Sequence, residues 1–251
     1  MKKEPLVTII TNTWGEHINL AEEAVASFLR QDYPHKKLMI VNTHQDPVIL
    51  EGYYPEIEIY NIPDVFVSLC DKFLWGIDKV KEGLWGLFDD DDIALPWFIS
   101  ERVEAYLAHK TNGRGPVMVS HSNSYYSEKN VIKSLVGNGW TNRLYEPIAV
   151  NEILRKYPDI KTKFEFDQQI VSCFPVNIDV VGRPAYIYRW DSGSYHYSGS
   201  GAEGRAESWE RGRAIAAEKR RTTPWQPKWN RDYEQDVKDF LHKQENNYGT
   251  F

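Results

Sequence analysis

Residues 6–11, Leu-Val-Thr-Ile-Ile-Thr, form an apolar, β-branched run followed by the loop chemistry of Asn12-Thr13-Trp14-Gly15, which predicts a buried first strand. From Ile18 the apolar residues Leu20, Ala21, Ala24, Val25, Phe28 and Leu29 recur at helical spacing, with Glu22, Glu23 and Arg30 between them. That period predicts an amphipathic helix ending before Pro34. Residues 38–41 predict a second buried strand. Residues 57–62 predict a third, more exposed one, because Glu56, Glu58 and Tyr60 alternate with isoleucines. Helical spacing returns over residues 65–80, where Phe66, Leu69, Phe73, Leu74 and Ile77 share a stripe, and Gly83 closes it. The run Leu84-Trp85-Gly86-Leu87-Phe88 predicts a fourth strand, and Asp89, Asp90, Asp91 and Asp92 stand at its end.

Pro96 suits a first helical turn, opening a helix to about His109 ahead of the breakers Asn112-Gly113-Arg114-Gly115-Pro116, and residues 117–120 predict another strand. Strands alternating with helices in this way predict a doubly wound α/β sheet, in which ligands sit beyond the carboxyl ends of the strands. Asn12, Thr13 and the four aspartates all lie at such ends. Residues 121–175 are less regular, with a polar Ser/Tyr/Asn stretch, a Gly137-Asn138-Gly139 turn and a helix near residues 167–173. Residues 176–181 and 185–190 read as two strands joined through Gly182-Arg183-Pro184. The Gly- and Ser-rich stretch 191–201 predicts a mobile loop, and residues 206–219 a terminal helix. Pro224, Pro227 and the polar end predict an arm packed on the surface or partly disordered.

Composition narrows the class. Hydrophobic residues at 41% and charged residues at 26% fit a folded globular chain, and 251 residues suffice for one domain with an elaboration. Aromatic residues reach 14%, with nine Trp and fifteen Tyr, a supply that often lines sites stacking on bases or sugars. Cys70 and Cys173 are too few for a disulfide scaffold or a thiolate zinc site. The short apolar run after Met1-Lys2-Lys3-Glu4-Pro5 argues against a signal peptide, no run reaches a membrane span, and a cytoplasmic location is expected. A net charge of −6 argues against indiscriminate nucleic-acid binding.

The four aspartates carry the most chemistry. Consecutive carboxylates at an apolar strand end repel one another unless a cation or water compensates them. In an extended chain Asp89 and Asp91 project to one side and Asp90 and Asp92 to the other, so alternate carboxylates converge on one Mg²⁺ or Mn²⁺. The alternative is a solvated acidic turn in which Asp92 caps the next helix.

The ordered set formed by residues 7–13, the helix ending Gln31-Asp32-Tyr33-Pro34, residues 38–41 and Gly86-Leu87-Phe88-Asp89-Asp90-Asp91-Asp92 resembles the nucleotide-sugar-binding half of family 2 glycosyltransferases. The resemblance covers about the first 110 residues. It implies a GT-A fold, a mostly parallel α/β sheet flanked by helices, and transfer by inversion from a nucleotide-sugar donor. It divides the chain into a nucleotide-sugar-binding half (residues 1–120), an acceptor half of the same domain (121–204) and a C-terminal arm (205–251). It places Thr11, Asn12 and Thr13 beside the nucleoside, and Asp89, Asp90 and Asp91 at the ribose, diphosphate and metal. The family commonly has an acidic residue beyond the second strand to accept a hydrogen bond from uracil. This chain has Asn42, whose amide offers a different base contact, so a UDP-sugar is favoured less firmly than the metal and diphosphate.

The family also places an acidic pair at the start of a helix facing the donor, which Phe164-Glu165-Phe166-Asp167-Gln168-Gln169-Ile170 matches approximately. Asp167 is the expected general base and Glu165 the alternative, with a plain helix N-cap as the structural reading. Tyr188-Arg189-Trp190-Asp191 resembles the family's carboxyl-terminal end, where Asp191 or His196 would complete the metal shell and Arg189 would pair with phosphate or a neighbouring carboxylate. Between Arg205 and Arg231, basic residues interleave with Trp209, Trp225 and Trp229, diluted by Glu203, Glu207, Glu210 and Glu218. Such a tail is a solvated helix face or the seat of an anionic acceptor, hydroxylated DNA bases and lipid phosphates included. A non-catalytic carbohydrate- or nucleotide-binding module with a structural cation is the competing function.

Overall fold

The alternation read over the first 120 residues is observed: β1 (Val7–Thr13), α1 (Ile18–Leu29), β2 (Lys36–Asn42), β3 (Ile57–Asn61), α2 (Leu69–Lys79), β4 (Leu84–Leu87), β5 (Ile93–Ala94), α3 (Phe98–Ala108) and β6 (Val117–Ser120). The computed structural model describes residues 4–13, 18–63, 65–109, 115–128, 131–137, 139–163, 166–189 and 224–248. Beyond β6 come β7 (Asn123–Glu128), β8 (Val131–Val136), β9 (Arg143–Tyr145), α4 (Val150–Lys156), α5 (Phe166–Val171), β10 (Val176–Asp179), β11 (Tyr186–Arg189) and α6 (Tyr233–Tyr248).

Two sheets result. The larger runs β10-β6-β9-β4-β1-β2-β3, and within it only β9 is antiparallel to its neighbours. The smaller runs β5-β11-β7-β8. Strands from both sides of residue 120 therefore complete one sheet. β1 lies inside it, between β4 and β2, and its apolar residues face covered layers on both sides. Val7 and Ile9 pack with Phe28, Phe98 and Tyr186 on one face, and Ile10 packs with Phe73, Leu74 and Trp85 on the other.

Register brings the functional strand ends together. β1 pairs in parallel with β2 from Val7 opposite Lys36 to Thr13 opposite Asn42, and with β4 up to Ile10 opposite Leu87. Gly86 permits this packing, since a Cβ there would lie 2.6 Å from Leu144 Cδ2 and 3.0 Å from the Arg143 carbonyl oxygen. Gln31, near the end of α1, donates to the Leu95 carbonyl (2.9 Å) and accepts from the Ile99 N–H (3.1 Å), fixing α1 against the entry to α3.

Residues 176–179 and 186–189 form strands as expected, with β10 joining β6 in the large sheet and β11 joining β7 in the small one. The irregular middle contains β7, β8 and β9, whose polar residues and short lengths hide the strand period. The C-terminal arm is ordered over 224–248: Trp225 bridges Leu50, and Trp225, Tyr233 and Val237 are buried in the main core. The loop expected at 191–201 and the helix at 206–219 lie outside the described residues. Among the described residues, no helix is long and apolar enough to cross a membrane.

Candidate active site

The acidic run lies where the chain leaves one sheet for the other. β4 ends at Leu87 in the large sheet, and β5 pairs with β11 in the small one, with Ile93 opposite Ile187 and Ala94 opposite Tyr186. Residues 89–92 must cover this corner, and they do so as a turn in which the Asp92 N–H donates to the Asp89 carbonyl at 3.3 Å. The extended alternation expected from sequence is thereby corrected. Bending the chain draws Asp92 in with Asp89 and Asp91, so that one carboxylate oxygen from each lies within 4.8 Å of the others.

Asp92 does not cap the following helix. It is buried, and it accepts from the Tyr186 hydroxyl at 2.9 Å and from the Arg189 backbone N–H at 2.8 Å. Both of its oxygens are thus oriented by β11. Asp90 turns toward β1, where its side chain bonds Thr13, while Oδ2 is buried with no partner among the described residues. Burial, followed by the charges of Asp92, Asp91, Asp90 and Asp167, pushes the Asp89 carboxyl well above the carboxylate range. Burial and the adjacent Asp91 raise Asp90 to about 7 against the Thr13 hydrogen bond and the charges of Lys72 and Arg189, and burial and Asp91 also raise Asp92. The converging hard oxygen donors of Asp89, Asp91 and Asp92, with Asp89 and Asp92 raised by burial and neighbouring charge, form a set that a hard divalent cation would fit.

Lys72 sits beneath this corner. Its Nζ donates to the Thr13 carbonyl (2.6 Å) and the Thr43 hydroxyl (3.1 Å), joining the carboxyl ends of β1 and β2. Burial lowers its pKa to about 7, and the charge of Asp90 opposes that shift. Of the residues expected beside a nucleoside, Thr11 and Thr13 are buried in β1, whereas Asn12 is partly exposed. Both polar atoms of the Asn12 amide are enclosed without a partner among the described residues. Asn42 is fully committed: its Nδ2 donates to the Asp46 carbonyl and to Asn61 Oδ1 (2.9 Å each), and its Oδ1 accepts from the His44 N–H at 3.1 Å. It braces the β2 and β3 ends, and a base could reach its amide only by breaking these bonds.

Arg189, expected at a phosphate, has its guanidinium turned into the protein. Its Nη1 pairs with Glu23, its Nε donates to the Asp91 carbonyl and its Nη2 to the Leu20 carbonyl at 3.4 Å. Both Arg189 and Glu23 are buried, so the neighbouring-carboxylate alternative describes this side chain.

α5 carries Asp167 in its first turn, partly exposed. Its charge is the smallest of those that raise Asp89. Phe166, Phe73 and Trp140 hold α5 against α2, with ring centroids 4.7 Å apart for Phe73 and Trp140 and 5.6 Å for Trp140 and Phe166. Glu165, Asp191 and His196 lie outside the described residues.

Sequence reading passed over Lys72, Glu23 and Tyr186. Lys72 falls on the apolar stripe of α2 between Leu69 and Phe73, and a lysine in such a stripe signals a buried partner. Glu23 was assigned to a polar face but is buried among Ala24, Ser27 and Arg189. Tyr186 gave no sign beyond its strand.

No family model matches the chain, and no curated protein matches it in sequence. Among solved structures it is similar to S. aureus TarS 1-349 in complex with UDP-GlcNAc, with a TM-score of 0.53 at 10% identity over 83% of this chain and 66% of that one. The same TarS fragment in complex with UDP aligns at a TM-score of 0.49 and 8% identity over 84% and 64%, and without a named ligand at 0.49 and 9% over 73% and 60%. This chain thus spans less than two thirds of each of those structures. The likeness to the first, together with the mostly parallel central sheet flanked by helices, shows that the chain has a GT-A fold.

Proposed function

We propose that this chain is an inverting, divalent-metal-dependent glycosyltransferase that moves a sugar from a nucleoside-diphosphate donor to an acceptor hydroxyl. The observation that carries this reading is the convergence of the Asp89, Asp91 and Asp92 carboxylates at the carboxyl end of β4. A UDP-sugar is the proposed donor class, supported by the fold shared with a protein solved with UDP-GlcNAc. Asp89 and Asp91 hold Mg²⁺ or Mn²⁺, and Asp92, fixed by Tyr186 and Arg189, orients the turn. When bound, the cation neutralises charge developing on the departing diphosphate. Asn12 and Thr13 border the nucleoside, where the unpartnered Asn12 amide supplies both a donor and an acceptor.

Asp167 accepts the proton of the acceptor hydroxyl as its oxygen bonds to the anomeric carbon. The bond from that carbon to the diphosphate breaks in the same step, and its electron pair leaves with the nucleoside diphosphate. This role for Asp167 is supported by its position on a separate element, near enough for its charge to act on Asp89. Asp191 and His196 remain proposed as further ligands, and Glu165 as the alternative base.

A thermal-shift series of nucleotide sugars with and without Mn²⁺, followed by assay of released nucleoside diphosphate, tests the reading. A UDP-sugar that stabilises the chain only with Mn²⁺, and is turned over, is the expected result. Binding without turnover for any acceptor would leave a binding module with a structural cation.

A further inference from the structure

The described C-terminal arm reaches the acidic corner through three buried side chains. The backbone N–H of Asn230 and the hydroxyl of Tyr233 both donate to Glu23 Oε1, at 2.8 and 3.1 Å. The other oxygen of Glu23 takes Arg189 Nη1, which also donates to the Tyr233 hydroxyl at 3.2 Å. Arg189 in turn holds the Asp91 carbonyl with Nε and Asp92 Oδ1 with its backbone N–H. Glu23, Arg189 and Tyr233 are all at most 4% exposed, so water does not compete for these bonds.

The arm has further fixings that keep this end of it in place. Trp225 exchanges backbone hydrogen bonds with Ile49 and Glu51, Gln226 donates to Glu22, and Trp229 donates to Ser27 Oγ at 3.0 Å. Its contacts with α1 thus continue along the helix that carries Glu23. A guanidinium has a rigid fork of donors, so moving its anchor moves every group it holds.

We propose that the C-terminal arm sets the geometry of the acidic turn, with Arg189 as the positioning residue through which Tyr233 and Glu23 act on Asp91 and Asp92. The inference rests on the reading of that turn as the metal and diphosphate site. Its consequence is that the arm, distant in sequence from the aspartates, governs how tightly they hold a cation. Arg189 touches neither donor nor acceptor in this role.

The test uses the full chain and Mn²⁺ titrated in the presence of UDP, with UDP affinity measured separately without metal. Tyr233→Phe keeps the ring in the core and removes only the hydroxyl. Val237→Ala destabilises the same helix at a buried apolar position outside the relay. Tyr233→Phe should weaken Mn²⁺ binding by about tenfold, at the lower end of what loss of an outer-shell partner does, with metal-free UDP binding unchanged. Val237→Ala should lower the melting temperature at least as much and leave Mn²⁺ affinity unaltered. Equal Mn²⁺ affinity in wild type and Tyr233→Phe overturns the inference alone. An equal loss in Val237→Ala also overturns it, by reducing the arm to a source of general stability. A wild-type chain that binds no Mn²⁺ overturns the metal-site reading and the inference together.

Discussion

Lys72 donates from Nζ to the carbonyl oxygen of Thr13 at 2.6 Å, which fixes a buried cation from α2 beneath the carboxyl end of β1. A lysine there is costly unless its charge is answered, and Asp90, itself bonded to Thr13, answers it. Lys72→Met keeps the length and the apolar stem while removing the charge and both hydrogen bonds. The variant should lose about 1–3 kcal/mol, because Asp90 is left without that cation and Thr43 without its donor. Urea unfolding measures this. A midpoint equal to or above wild type would mean that Asp90 carries no charge the fold must compensate.

The raised carboxyls make metal binding depend on pH in a fixed direction. Asp89, Asp90 and Asp92 have folded pKa values above their unfolded ones, with Asp90 at about 7, so without metal the folded turn retains more protons than the unfolded chain. The turn's contribution to stability is therefore present below about pH 4 and is lost as pH rises to about 7. Mn²⁺ must displace those protons, so its affinity should rise across the same window. Calorimetry in two buffers of different ionisation enthalpy should register proton release at pH 6. An affinity flat from pH 5 to pH 7.5 would contradict the placement of these groups at the metal.

Asp91→Asn removes one charged oxygen ligand and keeps the backbone bond by which the Asp91 carbonyl accepts from Arg189 Nε. Metal-dependent donor binding should fall by roughly tenfold or more while the melting temperature stays near wild type. Retained Mn²⁺-dependent stabilisation by a UDP-sugar in this variant would move the ligand set elsewhere.

How much of this was visible in the sequence depended on how far each residue's environment is local. The opening elements were legible because β1 is an unbroken, β-branched run that is buried almost throughout and α1 repeats apolar residues at helical spacing. β7 was not, since Asn-Ser-Tyr-Tyr-Ser-Glu is stabilised by neighbours on both sides, with Tyr125 buried against α6. α6 itself buries only a narrow stripe, including Tyr233 and Val237, within a largely polar segment. The aspartates announced themselves by repetition, but their convergence follows from the step between sheets, which no local pattern encodes. Arg189 and Glu23 lie 166 residues apart, and neither alone signals the pair.

A side chain at Gly86, directly before the acidic turn, is crowded. A Cβ there would lie 2.6 Å from the buried Leu144 side chain and 3.0 Å from the Arg143 carbonyl, pressing on β9, whose backbone is paired on both edges. Gly86→Ala should cost about 1–3 kcal/mol by overpacking and widen the gap between β4 and β9. A thermal melt checks the first effect, and donor affinity at saturating Mn²⁺ should fall as the corner shifts. An unchanged melting temperature would show that Leu144 can move aside freely.

The final prediction separates chemistry from binding at Asp167. This carboxylate stands in the first turn of α5, which Phe166 braces against Phe73 and Trp140, and its charge acts on Asp89. A base that removes the acceptor proton contributes only as the new bond forms, so its loss should appear in turnover and spare the ground state. Asp167→Asn is close to isosteric and should lower kcat by roughly 10² or more, with donor affinity within about twofold of wild type. Loss of donor binding in step with turnover would instead make Asp167 a donor-site residue. Near-normal turnover in Asp167→Asn, with a large loss in Glu165→Gln, would transfer the role to Glu165. Donor hydrolysis in the absence of acceptor adds a check: water needs the same proton acceptor as a sugar hydroxyl, so a true base variant should lose both reactions together.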